Sequence, residues 1–232
     1  MTTAVALVGG WAHPAEQTGP PLAAALAACG VTATVVDDTE HAAAALGAER
    51  PDLLVVHTCR FQMLDDRYTA EQRRDFAELT PVAWRAAVRA HLSAERPLLA
   101  LHTAPISFDD WPLWPDLGGA TWQWDRSNHP PPGPFVVTPV ADHAVSRGLA
   151  PFTVVDELYR FVTPAAGAEV VAHATDTDGT AHPQVWLHRV GSARVAYDAL
   201  GHDERSLGDP AHRALLARLV AWLAGAPTEE TC

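Results

Sequence analysis

The sequence has few basic residues, and no apolar run long enough to cross a bilayer. Its 16 basic residues, all of them arginines, stand against 28 aspartates and glutamates, so the formal net charge is −12 at pH 7. Because phosphate backbones and anionic lipids repel such a surface, we expect no nucleic-acid partner and no membrane partner. A helix that spans a membrane needs about 18 apolar residues. Met1–Val5 lacks the basic start of a signal peptide, so we do not expect one there.

Cysteine is also scarce. The three cysteines, Cys29, Cys59 and Cys232, are odd in number and irregularly spaced, and no CxxC motif occurs. This pattern argues against a disulfide framework and against a thiolate zinc site, and it favours a reducing, cytoplasmic compartment. Gly9-Gly10 lacks the third glycine of a dinucleotide fingerprint, and no phosphate-binding loop motif is found, so we expect no nucleotide cofactor.

The chain contains enough apolar residues to form a hydrophobic core. Hydrophobic residues make up 48% of the 232 residues and charged residues 19%, which is a globular composition. We expect one domain over residues 1–226 and a frayed tail at 227–232.

Strands and helices alternate in the first half of the chain. Short apolar runs predict strands, alanine- and leucine-rich segments predict helices, and the alternation predicts an α/β fold with a mainly parallel, doubly wound sheet and helices on both faces. The predicted strands are Thr3–Gly9, Ala33–Val36, Leu53–Val56 and Pro97–Leu101, and the predicted helices are Pro21–Cys29, His41–Leu46 and Pro81–Leu92.

The second half is richer in strands. A proline-rich connector at Pro130–Pro134 precedes them, and a closing helix is predicted at Asp209–Leu223 because its leucines recur at helical spacing. The predicted strands are Phe135–Val140, Val154–Val162, Ala168–Ala174, and a hairpin of Gln184–Val190 with Ala193–Leu200.

Small or polar residues follow several of the predicted parallel strands. Gly9, His57 and His102 each follow an apolar run, and in such sheets the site lies beyond the carboxyl ends of the strands. Three segments of the chain are therefore predicted to meet at one edge.

Several sequence blocks, in the same order and spacing, resemble the ThuA-like (trehalose utilisation) family. The blocks are Leu101–Ala104, Ser107–Trp111, Leu117–Trp122, Ser127–Pro130, Asp156–Tyr159 (DELY) and Leu200–Asp203 (LGHD).

The resemblance implies a flavodoxin-like fold related to class I glutamine amidotransferases. Those enzymes carry a cysteine on a sharp turn after a strand, paired with a downstream His-x-Glu motif. Here His102 stands at the cysteine position, and His202-Asp203-Glu204 resembles the His-x-Glu. An imidazole cannot form the thioester intermediate, so we predict that the protein is not a glutamine amidotransferase.

The family is also linked to the use of trehalose and related disaccharides. The resemblance therefore implies a role on a carbohydrate, which includes oxidised 3-keto glycosides. Two segments depart from the family pattern, Gly191–Arg194 and His143–Val145, and a difference in specificity would follow if either touched the substrate.

Three histidines are candidates for the chemistry. His57, His102 and His202 each lie at or just after the end of an apolar strand, and three imidazoles with an open position could hold a divalent metal such as zinc. His102 and His202 could instead act as a general acid and base. The alternatives are turn or strand-end histidines that are satisfied by the backbone.

Acidic residues stand beside these histidines. Asp203 and Glu204 follow His202 directly and could orient its ring or bind substrate. Glu157 is a candidate metal ligand, general acid or base, or acceptor for a sugar hydroxyl, and Tyr159 lies two residues further, on the same face of the predicted strand. Core packing is the other role open to Tyr159.

Aromatic side chains suit the flat faces of sugars. Trp11, Trp111 and Trp122 are the candidate stacking residues, and His129 could reach the same cleft. The leading hypothesis is a carbohydrate-processing enzyme of lyase or hydrolase type, with His102, His202, Glu157 and Glu204 as catalytic residues. The alternative is a non-catalytic carbohydrate-binding or regulatory protein, and a homo-oligomer is left open.

Overall fold

The computed structural model describes residues 2–226, so the predicted tail at 227–232 lies outside the described residues. Its main feature is a nine-stranded sheet. Five neighbouring strands of this sheet run parallel to one another. They are β1 (Thr2–Gly10), β2 (Val31–Val36), β3 (Leu53–Cys59), β4 (Leu98–Leu101) and β11 (Ala193–Asp198), and they lie side by side in the order β2-β1-β3-β4-β11.

The other four strands extend this sheet in antiparallel fashion. They are β6 (Gly133–Pro139), β7 (Phe152–Asp156), β9 (Glu169–Thr175) and β10 (Ala181–Val190), and they follow β11 in the order β10-β9-β6-β7. A small separate pair is formed by β5 (Ala120–Thr121) and β8 (Thr163–Pro164). The proline-rich connector thus leads into β6 of the same sheet, and the predicted hairpin is β10 with β11.

Helices cover both faces, as predicted. Along β1 the side chains alternate: Ala4, Ala6 and Val8 belong to one buried cluster, and Val5 and Leu7 belong to the other. This alternation follows from the two-residue period of a strand. The helices are α1 (Ala15–Ala28), α2 (Thr39–Glu49), α3 (Ala70–Phe76), α4 (Val82–Ser93), α5 (Trp114–Gly118), α6 (Glu204–Leu207) and α7 (Pro210–Leu223).

The two core clusters are built by different helices. α1 and α7 contribute Leu22, Leu26 and Leu219 to the first cluster, whereas α4 contributes Trp84 and Val88 to the second. Each fully buried side chain of this kind contributes about 1.5–3 kcal/mol relative to an exposed one. The sheet is therefore held rigidly between two layers, and its carboxyl edge is a fixed platform.

Several elements differ from the sequence prediction. Strand β3 continues through His57 to Cys59, so His57 lies inside the strand and not at its end.

Helix α1 begins at Ala15 and contains Pro20 and Pro21. Its buried side chains, Leu22 and Leu26 among them, pack in the first core cluster. Packing thus outweighs the lost hydrogen bonds of two prolines.

The strand predicted over Val154–Val162 ends at Asp156 as β7. The carboxylate of Asp156 turns back and accepts a hydrogen bond from the N–H of Glu157 at 2.7 Å, which takes that N–H away from a strand ladder. Helix α3 was not predicted. Its start is a capping box between Thr69 and Gln72.

A buried polar triad ties α7 to the sheet. The Nε2 of His212 lies 3.1 Å from the carboxylate of Asp198, and its Nδ1 lies 3.1 Å from the hydroxyl oxygen and 2.9 Å from the carbonyl oxygen of Ser206. Burial lowers the pKa of His212, but the negative charge of Asp198 and the hydrogen bond to it raise the pKa by more, so the net shift is upward.

We expect this triad to stabilise the fold less as the pH rises. A raised folded-state pKa gives stabilisation that is complete below the unfolded pKa of about 6.5 and disappears as the pH passes the folded-state pKa. The difference in unfolding free energy between wild type and His212→Gln should therefore shrink as the pH rises above about 6.5. Urea unfolding measures it.

The matched control is His41→Gln, since the side chain of His41 is 82% exposed. Its difference from wild type should stay small at every pH. A His212→Gln difference that is constant or grows with pH would contradict the assignment.

Candidate active site

Four side chains from four distant segments meet at the carboxyl edge of the sheet. His13 follows β1, His102 follows β4, Glu157 follows β7 and His202 follows β11. One ligand atom from each lies within 4.8 Å of all the others. His102 is fully buried, His13 and Glu157 are buried, and His202 is partly exposed, so the group opens to solvent on one side. Such a group could hold a metal ion.

His102 is held by a sharp turn. Its φ is +48°, a left-handed conformation that costs a non-glycine residue about 1–2 kcal/mol, and its N–H donates to the carbonyl oxygen of Asp198 at 2.7 Å. The ring Nδ1 lies 2.9 Å from the carbonyl oxygen of Ala199. Because a carbonyl oxygen can only accept, this nitrogen carries the proton, and Nε2 faces the centre.

His13 was not among the predicted site residues. Its Nδ1 donates to the carbonyl oxygen of Trp11 at 3.1 Å, and its Nε2 lies 3.2 Å from the Nδ1 of His202. The turn that brings it there requires Gly10, whose φ is +100° and whose Cβ, if present, would clash with the carbonyl oxygen of Cys59. The available signal was a histidine in the glycine-started loop after β1, at the same sheet edge as His102.

Glu157 and His202 complete the centre. The Nδ1 of His202 lies 3.3 Å from the Nε2 of His102. A carboxylate oxygen of Glu157 lies 3.4 Å from the Nε2 of His102 and 3.5 Å from the Nδ1 of His202. All three side chains therefore share one small volume.

The carboxylate of Asp156 positions two members of the centre. It accepts hydrogen bonds from the backbone N–H of Glu157 at 2.7 Å, of Gly201 at 2.7 Å and of His202 at 3.3 Å. One buried side chain thereby connects the end of β7 to the loop after β11.

The four groups perturb one another. Burial lowers the pKa of His102, but its hydrogen bond to Glu157 and the charges of Asp156 and Glu157 raise the pKa by more, so the net shift is upward. Burial raises the pKa of Glu157, yet its contacts with His102 give a net downward shift. Burial, and then the charge of His102, lower the pKa of His13 to about 3. Burial also lowers the pKa of His202.

An aromatic wall lies beside the centre. The Nδ1 of His129 lies 3.3 Å from the second carboxylate oxygen of Glu157, and the hydroxyl of Tyr159 lies 3.5 Å from the Nε2 of His102. The ring centroid of Tyr159 is 5.3 Å from that of His129 and 5.4 Å from that of Trp122. The structure thus brings His129, Tyr159 and Trp122 together next to the four-residue centre.

His57 lies next to the centre and outside the four-residue group. Its Nε2 donates to the carbonyl oxygen of Gly201 at 2.9 Å, and its ring centroid is 6.2 Å from that of His102. Its Nδ1 is buried without a hydrogen-bond partner.

The two acidic residues that follow His202 are not part of the four-residue centre. Asp203 caps the start of α6 and pairs with Arg205 at 2.6 Å, and Glu204 is exposed in the first turn of that helix. Two predicted tryptophans also pack away from the centre. The structure stacks buried Trp111 on Trp114 and places Trp11 edge-on to Tyr68 and Phe76.

Of the two cysteines in the described residues, Cys59 lies at this edge, at the end of β3. It is buried, and burial raises the pKa of its thiol. A thiol in that state is a poor nucleophile.

Fold and centre together define an α/β protein on a glutaminase-like sheet that has a histidine, His102, on the turn after β4. A family model described as trehalose utilisation, ThuA, matches residues 4–223. The chain therefore belongs to the ThuA family.

Solved structures support the fold. A ThuA-like protein from Parabacteroides merdae is 17% identical, with a TM-score of 0.76 over 99% of this chain and 92% of its own. A second, from Bacteroides uniformis, is 17% identical, with a TM-score of 0.67 over 99% and 96%. A glutamine amidotransferase from Thermotoga maritima is 12% identical, with a TM-score of 0.50 over 97% and 99%.

No curated protein sequence matches the chain. None of the helices in the described residues has the length and apolar character that crossing a bilayer requires.

Replacing Asp156 with asparagine should destabilise the protein. The amide nitrogen of asparagine would face backbone N–H groups that now donate to a carboxylate oxygen, and an unsatisfied buried donor costs about 1–3 kcal/mol. Urea unfolding should show a loss of that size. The control is Asp142→Asn at an exposed position, which should leave the unfolding free energy unchanged; equal stabilities for the two variants would refute the positioning role of Asp156.

Proposed function

We propose that this protein is an enzyme that processes a carbohydrate during trehalose or disaccharide utilisation, by a reaction of lyase or hydrolase type. The observation that carries the proposal is the convergence of His102, His202 and Glu157 within 3.5 Å of one another. The family's description as trehalose utilisation supports the substrate class.

The arrangement suits proton transfer on an oxidised sugar. In a 3-keto glycoside, the carbonyl group makes the hydrogen on the neighbouring C2 acidic. A base at the centre takes that proton, the C–H electrons form a C1–C2 double bond, and the glycosidic C1–O bond breaks. The departing oxygen takes a proton from an acid. With no metal ion bound, the two imidazoles and the carboxylate can supply both roles. If they hold a metal ion instead, that ion would acidify the C2 hydrogen by polarising the neighbouring carbonyl oxygen.

The aromatic wall supplies the place for the sugar. Trp122 and His129 present accessible rings beside the centre, and such faces stack against the C–H groups of a sugar ring. Tyr159 is buried and packs against both rings. We assign sugar stacking to Trp122 and His129, and a substrate-binding role for Tyr159 stays a prediction. Roles for Glu204, Asp203, Trp11 and Trp111 stay predictions.

A divalent metal such as zinc is the cofactor that we propose for this centre. An ion of that kind would polarise a sugar carbonyl or hydroxyl oxygen. Besides the metal, the one ligand class that we propose is a small-molecule carbohydrate. We also propose a cytoplasmic location and a small homo-oligomer.

Glutaminase chemistry does not fit this centre. His102 stands at the turn where a nucleophilic cysteine is needed, and the thiol of Cys59 is buried with a raised pKa. We therefore propose that the protein releases no ammonia from glutamine.

Replacing His102 with alanine should separate catalysis from binding. Turnover of a 3-keto disaccharide should fall by at least about 100-fold, the usual contribution of a general acid or base, while calorimetry shows sugar binding retained. The control is His41→Ala, which is exposed and should keep full activity.

Three results are informative. Binding without turnover by the wild type, over trehalose, other disaccharides and their keto forms, would favour the alternative, a carbohydrate-binding or regulatory protein. Neither binding nor turnover of any of these sugars would refute the proposal. Unchanged turnover by the His102 variant would exclude this histidine from the chemistry.

Replacing Trp122 with alanine should weaken sugar binding. An aromatic stacking contact contributes about 0.5–1.5 kcal/mol, which corresponds to a Kd raised by roughly 2- to 12-fold. The matched control is Trp124→Ala, since Trp124 is exposed and packs on Phe61. Equal effects from the two variants would show that the wall around Trp122 is not the sugar site.

A further inference from the structure

The protons on the histidine rings can be assigned from their hydrogen bonds. His13 and His102 each place Nδ1 against a backbone carbonyl oxygen, that of Trp11 and that of Ala199. Each therefore carries its proton on Nδ1 when the ring is neutral, and each Nε2 presents a lone pair. Both lone pairs face the Nδ1 of His202, at 3.2 and 3.3 Å.

With all three rings neutral, one proton cannot satisfy this arrangement. The Nδ1 of His202 carries at most one hydrogen, which can be donated to His13 or to His102 but not to both. The carboxylate of Glu157 is a further acceptor at 3.4–3.5 Å from the same nitrogens. Acceptor atoms that face one another in a buried site are costly, and a cation between them removes that cost.

The spacing of the four atoms fits one particular geometry. Ligands at about 2.05 Å from an ion, at the corners of a tetrahedron, lie about 3.3 Å from one another. The four closest separations in the group are 3.2, 3.3, 3.4 and 3.5 Å. The remaining pairs, which both involve His13, lie within 4.8 Å, so a small movement of the His13 loop closes the tetrahedron.

The groups behind the ligands are also those of a metal centre. Ligating histidines usually donate their other ring N–H to a carbonyl or carboxylate oxygen, and ligating carboxylates are themselves hydrogen-bonded. His13 and His102 show the first feature. The other oxygen of Glu157 lies 3.3 Å from the Nδ1 of His129, whose hydrogen-bond partner is the carbonyl oxygen of Pro130.

We propose that His13, His102, His202 and Glu157 are the ligands of a zinc-type divalent metal ion. In this set His13 stands where the sequence predicts His57, whose Nε2 is occupied by the carbonyl oxygen of Gly201. Three imidazole nitrogens and one carboxylate oxygen suit zinc better than calcium or magnesium, which prefer oxygen ligands. The inference deepens the proposed function and rests on it for the role of the metal in catalysis. Because four protein ligands fill a tetrahedron, a sugar oxygen would join the ion as a fifth ligand.

The test is direct measurement of metal binding, with no sugar present. Untagged full-length protein, stripped with a chelator and dialysed, is titrated with zinc by calorimetry, and its metal content is measured by elemental analysis. The wild type should bind about one ion per chain. His13→Ala should weaken zinc binding by more than about 100-fold, beyond the 10- to 100-fold that a group behind the ligands costs.

Two further variants keep the outcome clear. His13→Asp retains a ligand atom and should bind zinc more tightly than His13→Ala, which separates loss of a ligand from damage to the loop. His57→Gln can still donate to Gly201 and should bind zinc as the wild type does. Zinc should raise the unfolding temperature of the wild type and of His57→Gln, and much less that of His13→Ala.

The proposal is overturned if the wild type binds no zinc, cobalt or manganese. It is also overturned if His13→Ala binds as the wild type does, or if His57→Gln loses binding to the same degree, since His57 would then be a ligand. Zinc binding with no sugar turnover would leave the metal centre standing and refute the proposed function. Sugar turnover by a protein that binds no metal would do the reverse.

Discussion

The carboxylate of Asp156 is the interaction on which the centre depends. It lies at the end of β7, in the antiparallel half of the sheet, and accepts hydrogen bonds from Glu157, Gly201 and His202. The loop after β11, in the parallel half, is thereby fixed to the end of β7. Without this link, nothing in the path of the chain would force Glu157 to face His202.

The rest of the fold supports that link. Asp198 at the end of β11 receives the N–H of His102 through its backbone and the ring of His212 through its carboxylate. The turn after β4, the loop after β11 and helix α7 therefore share one buried residue. The inner part of the centre is buried and polar, and an aromatic wall of Trp122, His129 and Tyr159 lies beside it.

Much of the fold could be predicted from the sequence because buried parallel strands are continuous apolar runs. Leu53–Val56 and Pro97–Leu101 show this, and strand ends locate the sheet edge where His102 lies. Position along a strand does not tell which way a ring points, however. His57 ends a run as His102 does, yet its Nε2 is directed to the carbonyl oxygen of Gly201. His13 lies in a loop without periodicity, and only the three-dimensional turn at Gly10 brings it to the centre.

The proposed centre brings four side chains, from segments far apart in sequence, onto one metal ion. X-ray absorption at the zinc edge of the zinc-loaded protein identifies the atoms bound to that ion. We expect nitrogen and oxygen neighbours only, about four of them at about 2.0–2.1 Å, with the outer-shell scattering of about three imidazole rings. A sulfur neighbour, or a spectrum of oxygen neighbours with no imidazole scattering, would contradict it.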